Sequence, residues 1–516
     1  MRKTVIEFND FSFQYRAQAK PTLKNINLRI YEGEKVLIVG PSGCGKSTIS
    51  NCINGLVPFK YEGKIDGSLK INNKESKDLS IFELSNMVGT VLQDPDRQFI
   101  GLTVGEDKAF KLENDCINQN EMKEAVKKAA KLVSIDNHLN SSPQKLSGGQ
   151  KQRVSLAGVM VGAPDILLFD EPLASLDPST GKKTIELIDE IKKATNKTII
   201  IIEHRLEDVL HCDVDRIVVV NDGMIIADEK PSELLCKETL KEIGIREPLY
   251  LSALKYAGCH IKSDMHVENI NTINVEECVN KLNTWAENIK EDESLPGEET
   301  ILELKDIDFK YNDGKQILKN ISFKIHKGEM ISIVGRNGAG KSTFLKIIGG
   351  KDEFFDGSIS KGKNMRIEYL DQNPPFDQDA TVLEQVFKGE TKEMITLREY
   401  EETIERIENS NGDDFDNLND KLLKLQEQID SLNLWDLESS AKTILTKLGV
   451  KNYNERVGNL SGGQKKRIAL ACALITPCDL LILDEPTNHL DADSIEWLEE
   501  YLNGRKGALL MILFFR

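Results

Sequence analysis

The chain lacks the features of a membrane-spanning or disulfide-stabilised protein. Within its 516 residues no apolar run approaches the roughly 18 residues that a bilayer-spanning helix needs. No secretory signal follows Met1. The nine cysteines are scattered without a CxxC pair or a metal-ligand spacing, which favours reduced thiols in the cytosol. If the chain serves transport across a membrane, the membrane-spanning subunits are expected to be other chains.

Basic residues are also scarce relative to acidic ones. Lysine and arginine number 67 against 84 aspartates and glutamates, which gives a net charge of −17. Such an acidic chain repels the phosphate backbone of nucleic acids, so no direct nucleic-acid binding is expected. The hydrophobic fraction of 40% is typical of a globular protein, and the length predicts two or three domains.

An internal repeat divides the chain. The segment FSFQYRAQAKPTLKNINLRIYEGEKVLIVG from Phe11 matches IDFKYNDGKQILKNISFKIHKGEMISIVG from Ile307. Both segments alternate apolar and polar residues, as β-strands do, and both end in an apolar strand and a glycine-rich loop. The repeat therefore predicts two related α/β domains.

Each repeat carries a phosphate-binding loop of the form GxxxxGK[ST]. Glycines let backbone N–H groups curl around phosphate oxygens, and the N-terminus of the following helix adds positive potential. Lys46 and Lys341 are expected to reach the β- and γ-phosphates, and Ser47 and Ser342 to ligate Mg²⁺. The predicted nucleotide-binding residues are Gly40, Ser42, Gly43, Gly45, Lys46, Ser47 and Thr48 in the first loop and Gly335, Asn337, Gly338, Gly340, Lys341, Ser342 and Thr343 in the second.

Two apolar strands end in an acidic pair, and a short LSGGQ segment precedes each of them. Asp170 and Asp484 are expected to ligate Mg²⁺ at the strand ends, and Glu171 and Glu485 to accept a proton from the attacking water. In LSGGQ, a serine and two glycines before an apolar helix predict an N-cap with exposed amides. The residues of LSGGQ that are predicted to bind a γ-phosphate across an interface are Ser147, Gly149, Ser461 and Gly463.

With this ordered set of motifs, the chain resembles the ATP-binding cassette (ABC) ATPases along nearly its whole length. The resemblance implies an α/β fold of two tandem P-loop cassettes, each with a RecA-like core, an antiparallel β subdomain and a helical subdomain. It implies ATP and Mg²⁺ as cofactors, and intramolecular pairing in which the phosphate loop of one cassette and the LSGGQ of the other share a nucleotide. The further roles that it implies are adenine stacking by Tyr15 and Tyr311, catalysis and metal binding by Gln93 and Gln372, the D-loop position for Asp177 and Asp491, and the switch position for His204.

The first repeat resembles ATPases of energy-coupling-factor (ECF) importers. The resemblance is carried by VLQDPDRQFIGLTVGED from Val91, IIEHRLEDVL from Ile201 and REPLYLSALKYAG from Arg246. It implies a cytoplasmic ATPase held at the membrane by a transmembrane coupling protein, which pairs with a membrane protein that binds a vitamin-like molecule or a metal.

The second repeat changes character after its phosphate loop. RIEYLDQNPPFDQDATVLEQVF from Arg366 and LILDEPTNHLDADSIEWLEEYLNGRKGALLM from Leu481 resemble the first cassette of ABC-F proteins, in which a histidine would occupy the position of Phe514. One hypothesis is a hybrid that is joined near the second glycine loop and truncated by a frame change. A divergent family with a degenerate second site is the alternative. The rival functions are a ribosome-associated ABC-F translation factor and a non-functional product.

The predicted domains are a first cassette (1–245), a connector (246–299) and a C-terminally truncated second cassette (300–516). A helical insertion is predicted at about residues 391–440, where an apolar stripe indicates a helix that packs on its own domain or in a hairpin. The connector is expected to be a solvated linker with one docked helix. The second site is expected to be hydrolytically impaired, since it lacks the switch histidine. The residues of the apolar stripe are Leu418, Leu422, Leu425, Ile429 and Leu432.

Overall fold

A computed structural model describes residues 2–512 except 42, 93–94, 175, 289–298, 312–313, 315, 337, 364, 371–373, 375, 389–391, 410–414, 432–433, 488–489 and 491. The chain divides between residues 291 and 292 into two units, called the first unit and the second unit below. Within the described ranges, no helix is both long and apolar enough to cross a membrane.

The first unit contains two β-sheets and a set of helices around them. Its strands are β1 (Thr4–Tyr15), β2 (Leu23–Tyr31), β3 (Lys35–Val39), β4 (Gly63–Ile71), β5 (Lys74–Glu75), β6 (Val88–Val91), β7 (Ile166–Asp170), β8 (Thr198–Ile202), β9 (Arg216–Asn221) and β10 (Met224–Glu229). Its helices are α1 (Lys46–Ile53), α2 (Leu56–Phe59), α3 (Ile81–Met87), α4 (Val104–Asn114), α5 (Gln119–Leu132), α6 (Gly148–Val161), α7 (Pro178–Thr195), α8 (Leu206–Val209), α9 (Pro231–Leu234), α10 (Thr239–Glu242), α11 (Leu249–Tyr256) and α12 (Val279–Asn288).

The central sheet of the first unit positions the phosphate loop. Its order is β10-β9-β3-β8-β7-β6, and a separate antiparallel sheet has the order β2-β1-β4-β5. Strand β3 pairs in parallel with β8 on one side and β9 on the other, so Leu37 lies between Ile201 and Ile217. All five residues of β3 are buried, as expected for a strand that is covered on both faces.

The second unit repeats part of this arrangement. Its strands are β11 (Thr300–Lys310), β12 (Gln316–His326), β13 (Met330–Ile333), β14 (Asp356–Lys361), β15 (Ile367–Leu370), β16 (Leu480–Asp484) and β17 (Ala508–Ile512). Its helices are α13 (Lys341–Ile348), α14 (Val382–Val386), α15 (Lys392–Asn409), α16 (Phe415–Ser431), α17 (Trp435–Lys447), α18 (Gly462–Ile475) and α19 (Ala492–Asn503).

The parallel sheet of the second unit has the order β13-β17-β16-β15, and its antiparallel sheet has the order β12-β11-β14. The register is the same in both units: Asp170 pairs with Ile202 in the first, and Asp484 pairs with Ile512 in the second. The strand-end carboxylates therefore occupy equivalent places. The two sheets confirm the predicted α/β class.

The segment with the apolar stripe is helical, as the sequence predicts. It forms α16, in which Leu425 and Ile429 are buried while Leu418 and Leu422 are half-buried. Helix α15 packs against α16, so the stripe lies in a helical hairpin, one of the two arrangements expected. Leu432 lies outside the described residues.

The connector is more extensively packed than the sequence suggests. Leu251 and Val267 are fully buried and belong to the core of the first unit. The Asn269 side chain donates to the carbonyl oxygens of Leu210, at 3.2 Å, and His211, at 3.1 Å. Leu251 and Leu254 lie three residues apart on α11 and are both buried, so the expectation of a solvated linker underestimated how much apolar surface the connector buries.

Candidate nucleotide site

The first phosphate loop joins β3 to α1 and holds its lysine over the loop. Lys46 Nζ donates to the carbonyl oxygens of Gly40 and Pro41, both at 2.8 Å, and only 4% of Lys46 is exposed. Burial lowers the pKa of the Lys46 ammonium, and the neighbouring Cys44 thiol and the carboxylates of Glu171 and Asp170 oppose that shift. The lysine is thus held in place at the centre of the loop.

The glycines of this loop provide conformations and space that other residues would not. Gly43 has φ +79° and Gly45 has φ +110°, both in the left-handed region. A side chain on Gly43 would meet no atom within 4 Å, so the loop leaves open space there. Ser47 and Thr48 lie in the first turn of α1, where the hydroxyl of Ser47 is exposed and Thr48 is buried. Ser42 lies outside the described residues.

The second loop has the same local geometry. Lys341 Nζ donates to the carbonyl oxygens of Gly335, at 2.7 Å, and Arg336, at 3.0 Å. Gly338 and Gly340 have positive φ angles, as their counterparts do. Ser342 and Thr343 begin α13. Asn337 lies outside the described residues.

A carboxylate pair and a histidine meet beside the first loop. Asp170 ends β7, and Glu171 follows in the left-handed region with φ +49°. The His204 Nε2 atom lies 2.8 Å from Glu171 Oε1. Burial raises the pKa of Asp170, and the adjacent Glu171 charge adds to the shift. A site with this polarity suits a divalent cation, because the cation would offset the crowded negative charge.

The second unit places its acidic pair in the same backbone geometry. Glu485 has φ +54°, and its N–H donates to the Ile512 carbonyl oxygen at 3.2 Å, as the Glu171 N–H does to Ile202 at 2.8 Å. Asp484 is buried at the end of β16. The predicted residues that lie outside the described ranges are Gln93, Gln372, Asp491 and Phe514.

An aromatic hydroxyl is tied to the phosphate loop in both units, a contact that the sequence did not reveal. Tyr15 Oη lies 3.1 Å from Thr48 Oγ1, and Tyr311 Oη lies 3.1 Å from Thr343 Oγ1. Each tyrosine therefore lies beside the helix that follows the loop. Tyr15 is half-buried, whereas 49% of Tyr311 is exposed.

Both LSGGQ segments form the N-caps that the sequence predicts. The hydroxyls of Ser147 and Ser461 accept from the backbone N–H groups of Gln150 and Gln464, and each glutamine side chain accepts from the serine N–H in return. A side chain on Gly149 would approach the Thr180 methyl group to 2.8 Å, whereas one on Gly463 would meet nothing within 4 Å. The N-terminus of α18 therefore has more open space around it than that of α6.

Sequence reasoning missed two buried polar residues around this site, Gln152 and Glu203, and the half-buried Arg205. Glu203 is 2% exposed and Gln152 is 7% exposed. Burial raises the pKa of Glu203, and hydrogen bonds from the N–H groups of His204, Leu173 and Arg205 oppose the shift. The available signal was the position of Glu203, which directly follows the apolar run Thr198–Ile202. A carboxylate that is buried there needs hydrogen-bond partners, because burying it without them is costly.

The residues of the first loop fit a nucleoside triphosphate with a divalent cation. The open space at Gly43 and the fixed ammonium of Lys46 match a phosphate chain, and the hydroxyl and carboxylate oxygens of Ser47 and Asp170 are the donors that Mg²⁺ prefers. A bound Mg²⁺ would neutralise charge on the phosphate oxygens. The fold and this site define a P-loop ATPase with two nucleotide-binding cassettes.

Comparison with known proteins identifies the family. The model of the ABC transporter family matches residues 23–174 and 318–488, and a model described as ATP-binding cassette cobalt transporter matches residues 237–309. The chain therefore belongs to the ABC transporter ATPase family, and it is an ATP-binding, ATP-hydrolysing subunit of that family.

Similar proteins align along nearly the whole chain. An ABC transporter ATP-binding protein of Clostridium perfringens (strain 13 / Type A) is 48% identical over 516 residues, covering 99% of this chain and 86% of that protein. One of Enterococcus faecalis (strain ATCC 700802 / V583) is 44% identical over 530 residues, covering 99% and 86%. The alignment with the Clostridium perfringens protein includes Gly335, near which the two parts of a hybrid would be joined. A single relative therefore matches both halves of this chain in the same order.

A solved structure shows the same fold across both units. The archaeal ribosome recycling factor aABCE1, in complex with the ribosomal stalk protein aP1, superposes with a TM-score of 0.59 at 20% identity. The match covers 98% of this chain and 84% of that one. At this identity the likeness concerns the fold alone.

Proposed function

We propose that the chain energises an ECF-type importer from the cytoplasmic face of the membrane, with a divalent metal such as cobalt as the favoured substrate class and a vitamin-like molecule as the alternative. The observation that carries the proposal is the match of residues 237–309 to the cobalt transporter ATPase model. The part of that segment before residue 289 is packed into the first unit, where Leu251 and Val267 belong to the core.

In the proposed chemistry, the first unit supplies the hydrolytic groups. Glu171 is placed to orient the attacking water and accept its proton, and His204, 2.8 Å from Glu171 Oε1, is placed to fix the carboxylate. Lys46 balances the phosphate charge. The intramolecular pairing predicted from the sequence, the remaining predicted site residues and a second site of lower activity are part of this proposal.

An exposed apolar patch supports a membrane partner. Ile100 and Leu102 are 69% and 83% exposed, and Phe82 on α3 and Phe110 on α4 are 57% and 43% exposed. Lys111 Nζ donates to the Ser85 carbonyl oxygen at 3.4 Å, which holds α4 beside α3. Large apolar side chains that are exposed on adjoining segments are candidates for an interaction surface. We assign this patch to the transmembrane coupling protein.

The proposal is tested by purifying the tagged chain from detergent-solubilised native membranes. A copurifying membrane complex and restored uptake of radioactive cobalt in cells lacking the gene would support it. Leu102→Asp should abolish copurification and uptake, while the control Ile226→Asp, an exposed residue of β10, should leave both unchanged.

One outcome would contradict the proposal, and another would change its favoured substrate. Sedimentation of the chain with ribosomes in the presence of ATP, with no membrane partner, would favour the ABC-F alternative. Copurification with membrane subunits but rescue of a vitamin uptake and not of cobalt uptake would retain the importer and replace the substrate.

A further inference from the structure

A buried polar cluster lies directly around the switch histidine of the first unit. The Glu203 carboxylate uses both oxygens: Oε1 accepts from the N–H groups of His204, at 2.8 Å, and Arg205, at 3.3 Å. Its Oε2 accepts from the N–H of Leu173 at 3.0 Å. One side chain therefore joins the turn that carries His204 to the segment that follows Glu171.

Arg205 makes a second connection between the same two segments. Its Nη1 atom donates to the carbonyl oxygens of Leu173, at 3.1 Å, and Leu176, at 2.9 Å. An ion pair of 2.5 Å with Asp208 fixes the other end of the guanidinium, and the Arg205 side chain is 14% exposed. The planar guanidinium suits this arrangement, because it directs several donors at fixed angles.

A third connection reaches the helix that follows LSGGQ. The side-chain amide of Gln152 on α6 donates to the Pro172 carbonyl oxygen, and its oxygen accepts from Thr184 Oγ1 at 3.3 Å. Pro172 directly follows Glu171, and Asp177 caps α7 a few residues later. The described residues Pro172, Leu173 and Leu176, which are meant by segment 172–176 below, are thus held by the histidine turn and by the LSGGQ helix.

Groups held in this way move together. Each buried donor or acceptor that lost its partner would carry the full cost of desolvation, so the histidine turn and segment 172–176 have few ways to shift separately. Because Glu171 immediately precedes that segment, the same contacts fix the separation of Glu171 and His204.

We propose that Glu203 and Arg205 are positioning residues for ATP hydrolysis, which hold His204 on Glu171 and couple the movement of the histidine turn to segment 172–176. Through Gln152, the coupling extends to the LSGGQ helix of the same unit. The inference rests on the ATPase activity of the family and not on the proposed importer function, so either can fail without the other.

The test uses Glu203→Gln in the full chain. Both oxygens of Glu203 accept from backbone N–H groups. In the glutamine variant an NH₂ group replaces one of these oxygens and faces a backbone N–H donor, so the histidine turn should shift. We expect kcat to fall by about tenfold to a hundredfold, as for displaced catalytic groups, and KM for ATP to change by less than about threefold. The control His211→Gln alters an exposed pair with Glu186, after α8 and away from the histidine turn, and should leave both constants unchanged.

A double-mutant cycle separates positioning from a general structural role. If Glu203 acts through His204, adding Glu203→Gln to His204→Ala should cause no further loss of kcat. Arg205→Ala should resemble Glu203→Gln, and Arg205→Lys should recover part of the activity, since one ammonium can still donate to a carbonyl oxygen.

Two results would overturn the inference: an unchanged kcat in Glu203→Gln, or losses that multiply fully in the double variant. Thermal unfolding of every variant shows whether it folds. Should Glu203→Gln not fold, the cycle of Arg205→Lys with His204→Ala decides the question by the same criterion.

Discussion

The two units differ most at the strand that leads into the phosphate loop. In β3, Val39 is 1% exposed and Lys35 is fully buried, whereas the equivalent residues Val334 and Met330 of the second unit are 54% and 47% exposed. The exposure differs because β3 lies between β8 and β9, while β13 pairs with β17 alone among the described strands.

The local geometry of the two phosphate loops is the same, although the strands that lead into them differ in burial. In both units the lysine donates to the two equivalent carbonyl oxygens, and the glutamate of the acidic pair has a similar positive φ and an equivalent N–H contact with the neighbouring strand. Local sequence therefore sets the geometry of the loop, and the surrounding strands set its burial. Burial matters for chemistry because it removes water from the charges and strengthens their interactions.

The largest expected effect on activity is the difference in ATPase rate between substitutions of Glu171 and of Glu485. Glu171→Gln should lower the ATPase rate by about a hundredfold or more while leaving ATP binding intact, since the amide cannot accept a proton. Glu485→Gln should change the rate by less than about twofold, because the resemblance to ABC-F proteins puts Phe514, and not a histidine, at the switch position of the second repeat. Steady-state ATPase assays and binding of a fluorescent ATP analogue measure both effects. Equal losses in the two variants would contradict the assignment of hydrolysis to the first unit.

The largest expected effect on stability concerns the buried charge at the start of β3. Lys35 Nζ donates to Asp189 Oδ1 at 2.7 Å. Asp189→Asn should destabilise the first unit by about 3–5 kcal/mol at pH 7, because it leaves the Lys35 charge buried without its partner. Urea unfolding measures the loss. The double variant Lys35→Met with Asp189→Asn, which copies Met330, should recover part of it.

The same pair gives a pH dependence. Burial by itself would raise the pKa of Asp189, but hydrogen bonds from Lys193 and Lys35 outweigh it, so the pKa lies below its ordinary value. A lowered carboxyl pKa stabilises the fold above the unfolded-state pKa of about 3.9, and the contribution is lost as pH falls through the lower folded value. The difference between wild type and Asp189→Asn should therefore shrink below about pH 4. A constant difference down to pH 3 would exclude this ionic contribution.

The smallest expected effect tests burial directly. Val39→Ala should cost about 2 kcal/mol, since it removes buried methyl groups from the central strand. Val334→Ala should cost less than about 0.5 kcal/mol, because more than half of that side chain is exposed. Urea unfolding, followed separately for the transitions of the two units, checks the pair. Equal costs would show that the two valines are equally buried in solution.

The sequence by itself determined the local parts of the site. The two phosphate loops, the acidic strand ends and the Ser147 and Ser461 caps depend on short segments, in which glycine, serine and alternating apolar residues dictate the backbone. These segments were enough to predict the α/β fold class and the ATP-binding cassette family. Helix α16 was equally visible, because its apolar stripe has a helical period, whereas its hairpin with α15 was one of two arrangements that the sequence left open.

Tertiary structure alone decided which residues meet across the chain. The contacts of Glu203 with Leu173 and of Gln152 with Pro172 join positions 30 and 20 residues apart, and no periodicity or motif encodes them. The packed connector and the contrast between Val39 and Val334 belong to the same class. Burial and partner choice depend on which strands and helices lie next to one another, and that is settled only when the whole unit folds.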